Sequence, residues 1–138
     1  VAESLVLSVL NQLAEKHGIK VFIWDFPQSI NGLYYRSEQK DYIGLNKSLS
    51  GGDLNRVFAH ELGHYHLHRD EGNLINGYLS GASDLDRRKV AKVEKQADAF
   101  AEMLVEAIKL ALVEARHNAQ NHPDPDPPPT SSAMPLAA

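Results

Sequence analysis

Apolar residues near the start of the chain recur every three or four positions, a spacing that places them on one face of a helix. The apolar positions of this first segment are Leu5, Val6, Val9, Leu10 and Leu13. Gly18 follows, and glycine is common just beyond a helix C-terminus because it adopts the left-handed conformation without strain. The pattern therefore predicts an amphipathic helix from Ala2 to His17.

The next part of the chain changes to short runs of β-branched and aromatic residues, which are typical of strands. Segments rich in Pro, Asn, Gly and other polar residues separate these runs and predict turns. The predicted strands are residues 19–24, 33–36 and 42–46. Because the links between them are short, we predict a small antiparallel sheet of about three strands. Tyr34, Tyr35 and Tyr42 are expected to pack in this sheet rather than to take part in catalysis.

Two longer helical patterns follow the strands and complete a predicted α+β domain. The first runs from about Asp53 to Arg69, and the second from Leu85 to about His117, with a break near Glu106 left open. The apolar stripe of the second helix comprises Val90, Val93, Ala97, Phe100, Ala101, Leu104, Ile108 and Ala111. Residues 70–84 are rich in Gly, Asn, Ser and Asp, so we predict that they form a loop beside the first helix.

The end of the chain differs in composition from the rest. From His122 onward it reads HPDPDPPPTSSAMPLAA and holds every proline of the chain except Pro27. Such a segment predicts a disordered tail or one that docks elsewhere. We therefore predict a folded domain at residues 1–120 and a Pro-rich tail at residues 121–138.

Composition narrows the classes of function. The 138 residues suit one domain with a real core, and no apolar run is long enough to cross a bilayer. The formal net charge of −4 gives no electrostatic case for direct nucleic-acid binding. The chain has no cysteine, which excludes disulfides and thiolate metal sites and is compatible with a reducing cytosol. The first residues lack the pattern of a signal peptide, so we expect a cytoplasmic protein with no membrane partner.

The chemistry centres on a His-Glu-x-x-His sequence inside the first of the two longer helices. His60 and His64 are four residues apart, so their imidazoles lie on one helical face and both reach one small cation. Zinc is the usual cation, because it accepts nitrogen ligands in a compact tetrahedral site. Glu61 lies about 100° round the helix, a position that suits a base taking a proton from activated water. The alternative is an amphipathic helix with surface histidines.

A catalytic zinc usually needs a third protein ligand, and a carboxylate from a neighbouring helix is one common solution. We predict that Glu94 supplies it, because it opens the run EKQADAFA beside the apolar stripe of the next helix. Small residues at Ala97 and Gly63 are expected to let the two backbones approach closely. Asp98, four residues after Glu94, is expected to accept a hydrogen bond from a ring nitrogen of one of the histidines. The alternative for Glu94 is a solvated helix charge.

The other histidines are weaker candidates for the site. His68 is eight residues from His60, about 12 Å along the helix axis, so the two cannot easily share one ion. His66 points off the metal face, and both His66 and His68 are expected to favour the dipole at the helix C-terminus. His17, His117 and His122 are expected at the surface. Tyr78 is a weak candidate for stabilising an oxyanion.

Two segments together, FAHELGHYHLH at 58–68 and EKQADAFA at 94–101, resemble the ImmA/IrrE family of metallopeptidases. The strand at 42–46 fits the same pattern, and the resemblance covers roughly residues 19 to 105. It implies a zincin-like fold in which a small sheet packs on the metal helix and a backing helix. After Leu104 the family often has Met-Pro, whereas this chain continues its helical pattern.

The resemblance also implies a site and a role. Zinc would be held by His60, His64 and Glu94, with Glu61 as the base. Family members are often carried by phages and mobile elements, and several cleave or relieve helix-turn-helix repressors. We therefore predict a zinc endopeptidase acting on a protein or peptide substrate, such as a transcriptional repressor. The alternatives are a non-proteolytic partner-binding module with a structural zinc, and a metal-binding module that docks through its Pro-rich tail.

Overall fold

The computed structural model describes residues 2–69 and 84–121. Its elements in chain order are α1 (Ala2–Lys16), β1 (Lys20–Trp24), β2 (Gly32–Ser37), β3 (Lys40–Asn46), α2 (Gly51–Leu67) and α3 (Asp84–Asn121). The small sheet and the helices packed on it confirm the predicted α+β class. Gly18 has a φ of 71° beyond α1, the left-handed conformation expected of a glycine that ends a helix.

The three strands form one mixed sheet with β3 in the centre. β2 pairs with β3 in the antiparallel direction, but β1 pairs with β3 in parallel, so the prediction of an antiparallel sheet was wrong for β1. The link from β1 to β2 carries the chain past the central position. The amide of Asn46 at the end of β3 holds this link, donating to the backbone oxygens of Ile30 at 2.9 Å and Phe26 at 3.2 Å.

β2 and β3 form a hairpin around a two-residue turn. Glu38 and Gln39 both have positive φ angles, 52° and 64°, as the tightest hairpin turns require. The turn lacks the Asn-Gly pair that usually marks such hairpins. As a result of this arrangement β2 lies at an edge of the sheet, with β3 on one side of it.

The tyrosines of the sheet pack as predicted, but on opposite faces. Tyr34 is buried on the inner face and donates a hydrogen bond to Asp41 on the neighbouring strand. Tyr35 and Tyr42 stack on the outer face with ring centroids 4.8 Å apart. They therefore help to define the sheet and lie among its packing contacts.

α2 is the central element of the domain. It contacts the inner face of the sheet, α1 and α3. The largest buried side chains of this core are Phe58, Leu10, Ile43, Leu45, Leu62 and Val6. Burying one such side chain stabilises the fold by roughly 1.5–3 kcal/mol, so α2 is anchored firmly on both sides.

α2 and α3 approach each other closely at Gly63. A Cβ atom there would lie only 3.3 Å from the Cα and the backbone oxygen of Ala97, and 3.1 Å from the Phe100 ring. The predicted close approach is thus confirmed, and it brings the start of the EKQADAFA run against the histidine face of α2. Beyond it, α3 continues without a break at Glu106 as far as Asn121.

Some predictions, including that of a loop at residues 70–84, fall on residues outside those that the structure describes. Tyr78 and the Pro-rich tail from His122 lie outside the described residues, so the division between domain and tail stays a prediction. Within the described part of the chain, no helix has both the length and the apolar character that crossing a membrane demands.

Candidate metal centre

Two histidines of α2 and one glutamate of α3 converge at the contact between these helices. Nε2 of His60 lies 2.9 Å from Oε2 of Glu94, and Nε2 of His64 lies 3.0 Å from Oε1 of the same carboxylate. The two Nε2 atoms are 3.1 Å apart. The structure therefore brings together the three residues that the sequence singled out as metal ligands.

This donor set fits a zinc ion. Ligand atoms bound tetrahedrally at about 2.0–2.1 Å would be about 3.3 Å apart, close to the separations found here. The group offers one atom each from His60, His64 and Glu94, all within 4.8 Å of one another. Two imidazoles and one carboxylate also match the chemistry of a catalytic zinc site with three protein ligands.

The charges around the three residues favour a cation. Burial alone would raise the pKa of Glu94, but hydrogen bonds from His60 and His64 outweigh it and lower the pKa to about 2. Burial alone would lower the pKa of His60, whereas the hydrogen bond to Glu94 and the charge of Glu61 raise it to about 9. In the absence of metal, a proton on His60 thus supplies the positive charge that the carboxylates attract.

Glu61 is buried beside the two histidines and lines the same cleft. Burial raises its pKa to about 8, although the neighbouring His60 opposes the shift. β2 presses against this side chain at Gly32, where a Cβ atom would lie 3.3 Å from Oε2 of Glu61 and 2.8 Å from Val57. A buried carboxyl with a pKa near neutrality is suited to accepting and returning a proton.

The outer nitrogens of the two histidines have different partners. Nδ1 of His60 lies 2.7 Å from the Asp98 carboxylate, as predicted for one of the histidines. Nδ1 of His64 lies 3.2 Å from Nδ1 of His68, whose Nε2 lies 2.8 Å from Oε1 of Gln96. His68 is only 4% exposed. The prediction that it serves the helix dipole missed this buried contact behind His64.

The amino-acid sequence contains a partial signal for the role of His68 and none for that of Gln96. The spacing of four residues between His64 and His68 places them on one helical face, but it does not show which lies inward. The remaining described histidines behave largely as predicted. His66, His17 and His117 are exposed, and the first two have ring centroids 4.9 Å apart.

A cleft of about 750 Å³ opens over the site between β2 and the helices. His60, Glu61, His64 and Glu94 line its floor, and residues 29–34 form another wall. The strand edge beside the candidate metal ligands is therefore that of β2. An extended peptide can add to such an edge through main-chain hydrogen bonds.

The fold and the site together define a small α+β domain whose His-Glu-x-x-His helix is backed by an acid-bearing helix. The peptidase family described as the IrrE N-terminal-like domain matches residues 14–123. The chain belongs to this family, which confirms the resemblance found in the sequence.

One curated relative of this chain is a phage protein. The "Uncharacterized immunity region protein 2" of Bacillus phage phi105 is 35% identical over 57 residues. The match spans 41% of this chain and 36% of the relative, so the chain covers little more than a third of that protein. No solved structure matches the chain.

Proposed function

We propose that this chain is a zinc-dependent endopeptidase. The observation that carries the proposal is the convergence of His60, His64 and Glu94 beside the buried acid Glu61 in one cleft. Membership of a peptidase family supports it. A zinc ion bound there supplies a Lewis acid that activates water near neutral pH and polarises a carbonyl.

The chain's own groups have defined tasks in this proposal. Glu61 accepts a proton from the attacking water and passes it to the departing amine. Positive charge in the site lowers the pKa of Glu61 from its metal-free value, so that the carboxylate form is available near neutral pH. The outer edge of β2 holds the substrate backbone extended across the cleft.

The proposed substrate is a regulatory protein of a phage or mobile element, such as a helix-turn-helix repressor. The supporting observation is that the phage phi105 relative is named an immunity region protein. A repressor would meet the enzyme in the cytoplasm, the location that the sequence predicts.

The test uses the purified chain, candidate repressors and the Glu61→Gln variant. The wild type should cleave one of the repressors, and a chelator should stop cleavage. The Gln variant should keep its zinc affinity within a few-fold but lose about 10²–10⁴ of the rate, the usual contribution of a positioned base. Glu106→Gln is the matched control, because this exposed residue is twelve positions from Glu94, about 18 Å along α3.

Two results would count against the proposal. If Glu61→Gln cleaves as fast as the wild type, Glu61 is not the base. If removing zinc unfolds the wild type and no repressor is cleaved but one is bound, the chain is a partner-binding module with a structural zinc.

A further inference from the structure

A line of hydrogen bonds runs from His64 into the contact between α2 and α3. It passes from Nδ1 of His64 to Nδ1 of His68, and from Nε2 of His68 to Oε1 of Gln96. His64 and His68 are 2% and 4% exposed, so water does not offer these ring nitrogens other partners. The proposed reaction assigns no task to His68 or Gln96.

The direction in which protons are donated along this line is set at its Gln96 end. The amide oxygen of Gln96 only accepts hydrogen bonds, so the proton of a neutral His68 ring lies on Nε2. Nδ1 of His68 then carries a lone pair and accepts a proton from Nδ1 of His64. This leaves the lone pair of a neutral His64 ring on Nε2, the nitrogen that would bind the ion instead of contacting Glu94. This is the form of histidine that binds a metal.

The opposite polarity would disable the site. If the amide group of Gln96 donated to His68, the proton of each neutral ring would move to the other nitrogen. Nε2 of His64 would then carry a proton where the lone pair must point, and the ring would not bind zinc until the chain of hydrogen bonds reversed. The nature and orientation of residue 96 therefore matter to a ligand that it does not touch.

We infer that His68 and Gln96 are positioning residues that hold His64 in the tautomer with its proton on Nδ1, leaving Nε2 free for zinc. The inference rests on the proposed zinc site. The role is usually taken by a carboxylate or a backbone carbonyl. Here a neutral imidazole and an amide perform it, which avoids the cost of burying another negative charge.

Gln96 is a better position for substitution than the buried His68. It is exposed on α3, so substitutions there are compatible with folding. Gln96→Leu keeps the size of the side chain and removes the acceptor, whereas Gln96→Glu keeps an acceptor oxygen. Gln120→Leu, the same chemical change near the exposed end of α3, is the matched control. Zinc affinity is measured by competition with a chromophoric chelator, and the ring tautomers of the metal-free protein by long-range ¹H–¹⁵N NMR.

We expect Gln96→Leu to weaken zinc binding about 10–100-fold, the usual effect of losing an outer-shell partner. In the wild type, the NMR spectrum should show the proton of His68 on Nε2, and in Gln96→Leu that preference should be lost. Gln96→Glu should restore both properties to within a few-fold, and Gln120→Leu should match the wild type. A role in packing alone would not produce this tautomer shift or its rescue.

The result that overturns the inference is a Gln96→Leu variant with wild-type zinc affinity and an unchanged His68 tautomer. If that protein also cleaves substrate normally, the peptidase proposal stands without the positioning role. If the wild type binds zinc but cleaves nothing, the peptidase proposal fails. The comparison of the Gln96 variants with the wild type then still tests the positioning role. A wild type that binds no zinc overturns both.

Discussion

The two histidines of the candidate metal centre are held in contrasting surroundings. The side chain of His60 is 15% exposed, and its outer partner Asp98 is a charged group with a 75% exposed side chain. The side chain of His64 is only 3% exposed, and its outer partner is the buried ring of His68. One imidazole is therefore oriented by charge at the surface, and the other by neutral hydrogen bonds in the interior.

Because of this difference, the two sides of the site should respond differently to the salt concentration. A charge pair at the surface weakens as salt screens it, whereas buried hydrogen bonds are screened much less. Glu94 joins the two sides, because its two carboxylate oxygens contact one histidine each. Substitutions of Glu94, of the exposed partner of His60 and of the groups behind His64 should therefore weaken zinc binding to different degrees and with different salt dependence.

The largest effect is expected from Glu94→Ala, which removes the contact shared by both sides. Loss of a ligand should weaken zinc binding by more than the roughly 100-fold that outer-shell changes reach. Chelator competition on the variant measures this, with Glu106→Ala as the control on an exposed part of α3. Zinc affinity within tenfold of the wild type would show that Glu94 is not a ligand.

A smaller effect, about tenfold, is expected from Asp98→Ala, at the low end of outer-shell changes because this carboxylate is so exposed. The loss should shrink further as the ionic strength rises from about 0.01 M to 1 M, where the Debye length falls from about 30 Å to 3 Å. The loss caused by Gln96→Leu should stay constant over the same range. If the loss of zinc affinity depended equally on salt in both variants, His60 and His64 would not be oriented by different kinds of interaction.

The pH dependence of the metal-free protein concerns its stability rather than its zinc affinity. Folding raises the pKa of His60 from 6.5 to about 9 and that of Glu61 from 4.5 to about 8. Both groups bind protons more tightly in the folded state, so their contribution to stability is present at low pH and is lost as pH rises through these values. Between pH 7 and pH 9 the free energy of unfolding should therefore fall.

Thermal unfolding of the metal-free protein at the two pH values measures this loss. The melting temperature of the wild type should be several degrees lower at pH 9. The Glu61→Gln variant, which cannot titrate at this position, should show a smaller decrease. A wild type that is more stable at pH 9 than at pH 7 would mean that the charges around His60 and Glu61 are arranged differently.

Much of the site was predictable because it depends on helix periodicity. The spacing of His60 and His64 fixes their common face, and small residues at Gly63 and Ala97 predicted the contact that brings Glu94 to them. Asp98 follows one turn after Glu94. The family resemblance then added the fold, and the match to the IrrE N-terminal-like domain confirmed it.

The parts that escaped prediction depend on tertiary structure. The burial of His68 is decided by the packing of α3 over the end of α2, and the reach of Gln96 by the same contact. The composition of β1 predicts a strand but does not predict the direction in which it pairs. The link between β1 and β2, held by Asn46, determines that direction. For the same reason the sequence did not show that β2, rather than β3, borders the cleft.

We predict that one zinc ion binds between His60, His64 and Glu94. Anomalous diffraction at the zinc edge from crystals of the zinc-loaded protein tests it most directly. We predict one strong peak within about 2.0–2.2 Å of both Nε2 atoms and of a Glu94 oxygen. A peak between His17 and His66 with none at Glu94, or no stoichiometric zinc at all, would contradict the account.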